Sequence, residues 1–187
     1  MNIKSIIREI LQIALLALVV FFALHFLIQN FRIEGTSMEP NLHNRQYVLV
    51  NKTAYWFGSN PSRGDVIVFQ APDQPQYDRI KRVIGMPGET VEVKRDGTVY
   101  IDGEILEEPY LSSSSGGPAG TWVVPSDEYF VMGDNRGVSY DSRNGGPIPQ
   151  GNIVGKAWLI YGPLVTGDLP PMKPWYWKQR LRSLTVA

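Results

Sequence analysis

Hydrophobic positions along the chain fall into two regimes. From Ile10 to Phe31 the segment "ILQIALLALVVFFALHFLIQNF" carries no Asp, Glu, Lys or Arg. At about 1.5 Å per helical residue, a run of roughly 20 apolar residues crosses a hydrocarbon layer roughly 30 Å thick. A cleavable export signal has a shorter apolar stretch, about 7–15 residues, and ends at a small-residue A-x-A-like site. Here Arg32, Ile33 and Glu34 follow instead, so the segment is expected to be a transmembrane anchor. Lys4, Arg8 and the terminal amine precede it. By the positive-inside tendency this puts the N-terminus in the cytoplasm and the chain from Arg32 onward outside. Glu9 changes little, because acidic residues contribute weakly to that rule. His25, near the outer end of the span, reads as a packed or snorkelling side chain rather than an intramembrane functional group.

Beyond the anchor the pattern shortens to strands. "QYVLVNK" and "GDVIVFQAP" are β-branched and aromatic runs bounded by Asn, Gly and Pro, the signature of short strands. "RIKRVIGMPGETVEV" reads as strand, Pro-Gly turn, strand, and in "GTVYIDGEIL" the Asp102-Gly103 pair predicts a tight hairpin. "EYFVMGDNR" and "NIVGKAWLIYG" supply two more strands. The Ser/Gly-rich "LSSSSGGPAGTW" predicts a flexible surface loop near 111–121, most simply a passive spacer. From about residue 170 the tail mixes Trp175, Tyr176 and Trp177 with Lys178, Arg180 and Arg182. That mixture suits either a membrane surface or a solvated end. The expected fold is mainly β: a cytoplasmic stub and one N-terminal transmembrane helix over 1–31, then an antiparallel β-sheet exported domain over 32–187.

Composition narrows the chemistry. Among 187 residues the 18 basic and 18 acidic side chains balance, so no nucleic-acid partner is expected. The chain has no cysteine and only two histidines, His25 and His43. A disulfide framework, a Cys-type zinc site and a thiol nucleophile are thereby excluded, and neither metal nor cofactor is expected.

Ser37, in "GTSMEPNL", is a weak nucleophile until a base removes its proton. His25 lies in the expected membrane span, and His43 reaches Ser37 only through a local turn, which makes a Ser-His-Asp triad a poor fit. The remaining metal-free base is a lysine whose amine is held neutral by burial or neighbouring cations. Lys81, in "YDRIKRVIGMPGE", has Arg79 and Arg82 close by. Period-two alternation puts Ile80, Arg82 and Ile84 on one face and Arg79, Lys81 and Val83 on the other. The same lysine also reads as an exposed guard on an edge strand. "GDNRGVSYDSR", Gly133 to Arg143, is a dense loop of hydroxyl, amide and charged groups between two strands. In it Asp141 and Arg143 form either a loop-stiffening ion pair or a solvated surface pair, and Ser139 offers a hydroxyl that aims an amine.

Taken in order, "GTSMEPNL", "RGDVIVF", "RIKRVIGMPGE" and "GDNRGVSYDSR" resemble the signature segments of type I signal peptidases, Ser/Lys membrane proteases that remove signal peptides from exported proteins. "GNIVGKAWLIYGP" resembles the strand that follows, and the likeness runs from the anchor to about Gly162. The resemblance implies Ser37 as nucleophile and Lys81 as general base, with Ser139 orienting the lysine amine by a hydrogen bond. It implies that Asp141 and Arg143 support the site and that Met38 packs beside the lysine. The partners it implies are signal peptides of preproteins and the lipid bilayer, in the plasma or thylakoid membrane. Some members carry a serine two residues before the nucleophile that helps hold the oxyanion; this chain has Gly35 there. Asn41 stands where threonine is common, and "NRGVS" departs from the usual "NRDNS". Two other readings remain: a self-cleaving Ser/Lys protein like stress-response repressors, which the anchor disfavours, and a catalytically silent, membrane-tethered peptide-binding domain.

Overall fold

The computed structural model describes residues 3–113 and 116–162, so the expected aromatic and basic tail lies outside the described residues. Helix α1, Ile3–Leu27, is long and apolar enough to cross a membrane, and none of its most apolar stretch is buried against the rest of the protein. It ends four residues before the apolar run does. Ile28–Arg32 instead forms strand β1, antiparallel to β2, Tyr47–Asn51, in the register Ile28↔Asn51 to Arg32↔Tyr47. The helix extends only while its apolar surface has no sheet partner; once the β2 edge is within reach, backbone pairing takes over. The separation into 1–31 and 32–187 therefore cuts through a strand.

The remaining strands are β3 (Val66–Ala71), β4 (Gln74–Gly85), β5 (Thr90–Val93), β6 (Val99–Ile101), β7 (Glu104–Ile105), β8 (Gly120–Val123), β9 (Glu128–Met132), β10 (Ile148–Pro149) and β11 (Ile153–Tyr161). One short helix, α2 (Ser142–Gly145), precedes β10. All the pairings are antiparallel. A seven-stranded sheet runs β1-β2-β11-β3-β4-β9-β10 and a four-stranded sheet runs β7-β6-β5-β8. The expected hairpin at Asp102-Gly103 forms, with φ of 50° and 87°, the left-handed pair that a two-residue turn between twisted strands requires. Strand β8 begins inside the stretch expected to be loop, because Gly120 and Thr121 pair with Val93 and Glu92 of β5.

Three apolar clusters hold the sheets. Val66 and Val68 of β3 join Ile33, Met38, Leu42, Val48, Val50 and Ala157 on one face. Ile67 and Phe69 join Val83, Tyr129, Val131 and Ile148 on the other. A strand buried on both faces reads as an unbroken apolar run, which is why "VIVF" shows no alternation. The third cluster, around Ile84, Val91, Val99, Phe130 and Met132, lies where the two sheets meet. Gly85 permits that meeting: a Cβ there would come within 2.4 Å of Val91 and 2.9 Å of Phe130.

Candidate active site

Strand β4 carries the candidate base. It lies between β3 and β9, inside the large sheet, and Lys81 is 5% exposed. The reading of this lysine as an exposed guard is thus wrong: it is buried, although β9 pairs with β4 only from Arg82 onward, so that Lys81 stands where one side of β4 is still unpaired. Ser37 reaches it from a turn. Gly35, at φ 98°, lets the chain leave β1 and fold back through hydrogen bonds from Glu39 N–H to the Thr36 carbonyl (3.2 Å) and Leu42 N–H to the Met38 carbonyl (2.9 Å). Met38, 1% exposed, and Leu42 anchor this turn in the first apolar cluster. Ser37 is left half-buried with its hydroxyl 2.7 Å from Lys81 Nζ.

The amine makes a second hydrogen bond, donated to the Ile80 carbonyl at 3.0 Å. The bond expected from Ser139 to this amine is not formed. Ser139 is buried close by, but its Oγ has no hydrogen-bond partner among the described residues. Burial is the main influence on Lys81, with the Arg79 cation adding to it and the Asp141 and Asp134 carboxylates opposing; together they push its pKa down to about 8. Arg82, also expected to act as a nearby cation, is engaged elsewhere. Its guanidinium donates to both carboxylate oxygens of Asp134, at 2.8 and 2.6 Å, and to the Gly64 carbonyl at 2.9 Å. The Tyr110 ring lies against it at 4.1 Å.

The loop between β9 and α2 closes the site. Asp141 caps α2 and pairs with Arg143 through two bonds of 2.9 Å, and both residues are 5% exposed. Burial opposes ionisation of Asp141, but the Arg143 guanidinium and the Gly133 N–H hold its carboxyl below the usual range. Arg143 also donates to the carbonyls of Gly116 and Arg136, at 2.9 Å each. The Ser/Gly-rich segment is therefore docked on the site loop at Gly116, where the sequence suggested a passive spacer.

Several contributors escaped sequence reasoning. Asn135 grips the turn before Lys81 from outside: its N–H donates to the Ser37 carbonyl (3.0 Å) and its side-chain amide to the Thr36 carbonyl (3.2 Å). Asn41 ties the same turn inward, donating to Asp134 (2.8 Å) and to the Tyr110 carbonyl (2.9 Å). Gly133 leaves room for this packing, since a Cβ there would lie 2.3 Å from Ser139 Oγ and 2.5 Å from the Ser37 carbonyl oxygen. The clue was the density of amide and charged residues in "GDNRGVSYDSR". His43 sits apart, half-exposed, with Nδ1 3.8 Å from Glu39. A cavity of about 170 Å³ is lined by Lys52, Tyr55, Trp56, Pro61, Gln150, Ile153 and Val154, none of them in this constellation. Among the described residues, no cluster of His, Cys, Asp and Glu is placed to hold a metal ion.

The chain matches the family model described as "Signal peptidase, peptidase S26" over residues 6–162. It is 42% identical over 150 residues to a signal peptidase I of Bacillus amyloliquefaciens, covering 74% of this chain and 76% of that one. To a signal peptidase I of Bacillus licheniformis it is 37% identical over 174 residues, covering 87% and 92% of the two chains. A crystal structure of a signal peptidase I from Enterococcus faecalis is 38% identical, with a TM-score of 0.48, and covers 53% of this chain and 97% of that one. On the extent of the family match and of these relatives, the chain belongs to the signal peptidase family, peptidase S26, and is a peptidase.

Proposed function

We propose that this peptidase removes signal peptides from exported preproteins with Ser37 as nucleophile and Lys81 as general base. The observation that carries this reading is the 2.7 Å contact between Lys81 Nζ and Ser37 Oγ, with the amine buried and pushed down to a pKa of about 8. At that value about a tenth of the amine is neutral at pH 7. With one N–H kept on the Ile80 carbonyl, the neutral amine would accept the serine proton on its lone pair across the 2.7 Å contact. Attack of Ser37 on the scissile carbonyl transfers that proton to Lys81 and yields a tetrahedral oxyanion. The ammonium then protonates the departing amine, leaving an acyl-enzyme, and the regenerated base activates water to release it. The N–H of Ser37 is not spent on the turn's own hydrogen bonds and suits the oxyanion; Gly35 adds no hydroxyl, and its N–H is held by Asn44 (3.2 Å). Asp141 and Arg143 hold the loop that carries Ser139, and Met38 fixes the turn.

Signal peptides end in small residues at alternate positions, which suits an extended peptide laid on a strand edge with two shallow apolar pockets. Strand β9 pairs with β4 only from Arg82 onward, so the β4 backbone leading up to Lys81 keeps an open edge on that side. In this reading α1 is a single span with a cytoplasmic N-terminus, and the β-rich part works at the extracytoplasmic membrane face of the plasma or thylakoid membrane. The test is cleavage of a purified preprotein by the detergent-solubilised enzyme. Cleavage after the small residue should vanish in Ser37→Ala and in Lys81→Ala, and persist in His43→Ala. Activity that survives Lys81→Ala but not His43→Ala would overturn the dyad.

A further inference from the structure

Arg79 precedes Lys81 by two positions on β4 and shares its face. Lys81 lies opposite Ile67 of β3 and Arg79 opposite Phe69, and those two apolar residues belong to one cluster. On its other side β4 has no partner here, since β9 joins it only from Arg82 onward. Arg79 is thus the next side chain outward from the buried lysine, on an edge that no strand covers.

Its guanidinium is held from two directions. Arg79 Nη1 and Nη2 meet the carboxylate of Asp73, in the turn between β3 and β4, at 2.9 and 3.0 Å. Its Cζ lies 4.9 Å from the centre of the Tyr140 ring, within the range at which a cation is drawn to an aromatic face. Tyr140 stands between Ser139 and Asp141 in the site loop. Its ring edge runs along Gly145 of α2, where a Cβ would be 3.6 Å from Tyr140 Cε1. Phe69, Asp73, Arg79, Tyr140 and Asp141 are among the residues lining a cleft of about 20 Å³, room for about one water. The β3–β4 turn and the site loop therefore almost close on each other across the open edge. The side chains of Arg79 and Asp73 are 22% and 40% exposed, and ion pairs so wet contribute little to folding. Fixing a long arginine also costs side-chain freedom. Stability does not account for the arrangement.

We propose that Arg79 is a positioning residue: clamped by Asp73 and laid on Tyr140, it bridges the open edge of β4 and holds the Ser139–Asp141 loop and a fixed cation beside the Lys81 amine. The proposal rests on Lys81 being the base for Ser37. The loop gains a tie to the strand that carries the base, and the amine gains a neighbour of like charge that disfavours its protonated form. The carboxylates that oppose Arg79 come from the loop after β9: Asp134, which carries Arg82, and Asp141, which carries Arg143. On this face β3 brings apolar Ile67 and Phe69. The nucleophile turn brings the Ser37 hydroxyl, while its Glu39 and His43 face each other. Without Arg79 a repulsion on the ammonium is lost, the proton stays on to higher pH, and the rising limb of activity moves in the alkaline direction.

The test compares kcat/KM from pH 6 to 10 on a short signal-peptide substrate, using the full chain in detergent. In Arg79→Met the limb should move to higher pH, with activity several-fold lower at pH 7 and kept on the alkaline plateau. The amides of Gly133, Ser139 and Arg143, all bonded within the loop, should exchange hydrogen several-fold faster. Arg79→Lys keeps the cation and should bring the limb back toward wild type. Asp73→Asn breaks the same ion pair but leaves the cation, so its limb must not move to higher pH. A strut with no part in the chemistry gives Arg79→Met and Asp73→Asn one profile, lowered equally at every pH; that result overturns the proposal. Unchanged exchange in Arg79→Met overturns it too. A wild type without a limb, or an active Lys81→Ala, means that the base reading has failed. With both of those intact, an unmoved limb in Arg79→Met refutes the role of Arg79 alone.

Discussion

Lys81 shows how burial and charged neighbours change the titration of a single residue. A solvated lysine titrates near 10.4; this one is held to about 8, first by burial and then by Arg79. In the proposed chemistry protonation removes the lone pair that takes up the serine proton, so the active form would lie above the pKa and activity should rise with pH. With chemistry rate-limiting, kcat/KM should climb about tenfold per pH unit below about 8 and level off above it. A pH–rate profile flat from pH 6 to 9 would remove lysine from the role of base. Gly133 makes a second test at this scale. Its Cβ-free position lets the site loop lie against Ser37 and Ser139 at 2.3–2.5 Å from a virtual Cβ. Gly133→Ala must displace one of them, and a shift near 1 Å at reacting groups costs on the order of 100-fold. We expect kcat to fall by about that factor, with circular dichroism unchanged. In the sequence the serine, the lysine and the loop could be named only as candidates, each from its residue type, and the structure brings the three together. The absence of a Ser139–Lys81 hydrogen bond was not legible there, because it depends on side-chain placement to within an ångström.

At the scale of elements, β4 carries Lys81 at the point where its pairing with β9 begins. Adjacent residues on it serve opposite purposes: Lys81 meets Ser37, and Arg82 is locked to Asp134. That ion pair, with both side chains at most 2% exposed, links β4 to the loop after β9, and Asn41 adds the nucleophile turn to the same carboxylate. Removing one partner of a buried pair leaves an uncompensated charge and costs about 3–5 kcal/mol. Arg82→Met should therefore lower the stability to urea by about that amount, whereas Arg95→Met, on the exposed β5–β6 turn, should change it by less than about 0.5 kcal/mol. Strand positions were readable from alternation and turn residues wherever one face is polar. Where β4 passes from open edge to sheet interior was not, since that depends on where β9, far along the chain, begins to pair with it.

For the whole molecule, the decisive junction is that between helix and sheet. The apolar run continues to Phe31, yet its last part is β1, the partner of β2. A chain starting at Ile28 keeps this strand and should fold, remain soluble in mild detergent and cleave a short peptide. One starting at Ile33 bares the β2 edge, which invites pairing with other chains. It should lose several kcal/mol of stability and aggregate, as size-exclusion chromatography and thermal melts would show. Equal behaviour of the two truncations would mean that β1 contributes nothing to the sheet.

The sequence by itself determined the class of this protein. A charge-free apolar run, short strands punctuated by Gly and Pro, one serine segment, one lysine segment and one polar loop are local patterns, each set by residue type and near neighbours. Their order along the chain was enough to identify the family. Only the tertiary structure decided where the helix yields to β1, that Lys81 is buried, that Arg82 is spent on Asp134, and that Asn41 and Asn135 hold the serine turn from two sides. Those outcomes depend on groups distant in sequence competing for the same backbone edges, carboxylates and apolar space, and that competition is resolved only when the whole chain packs.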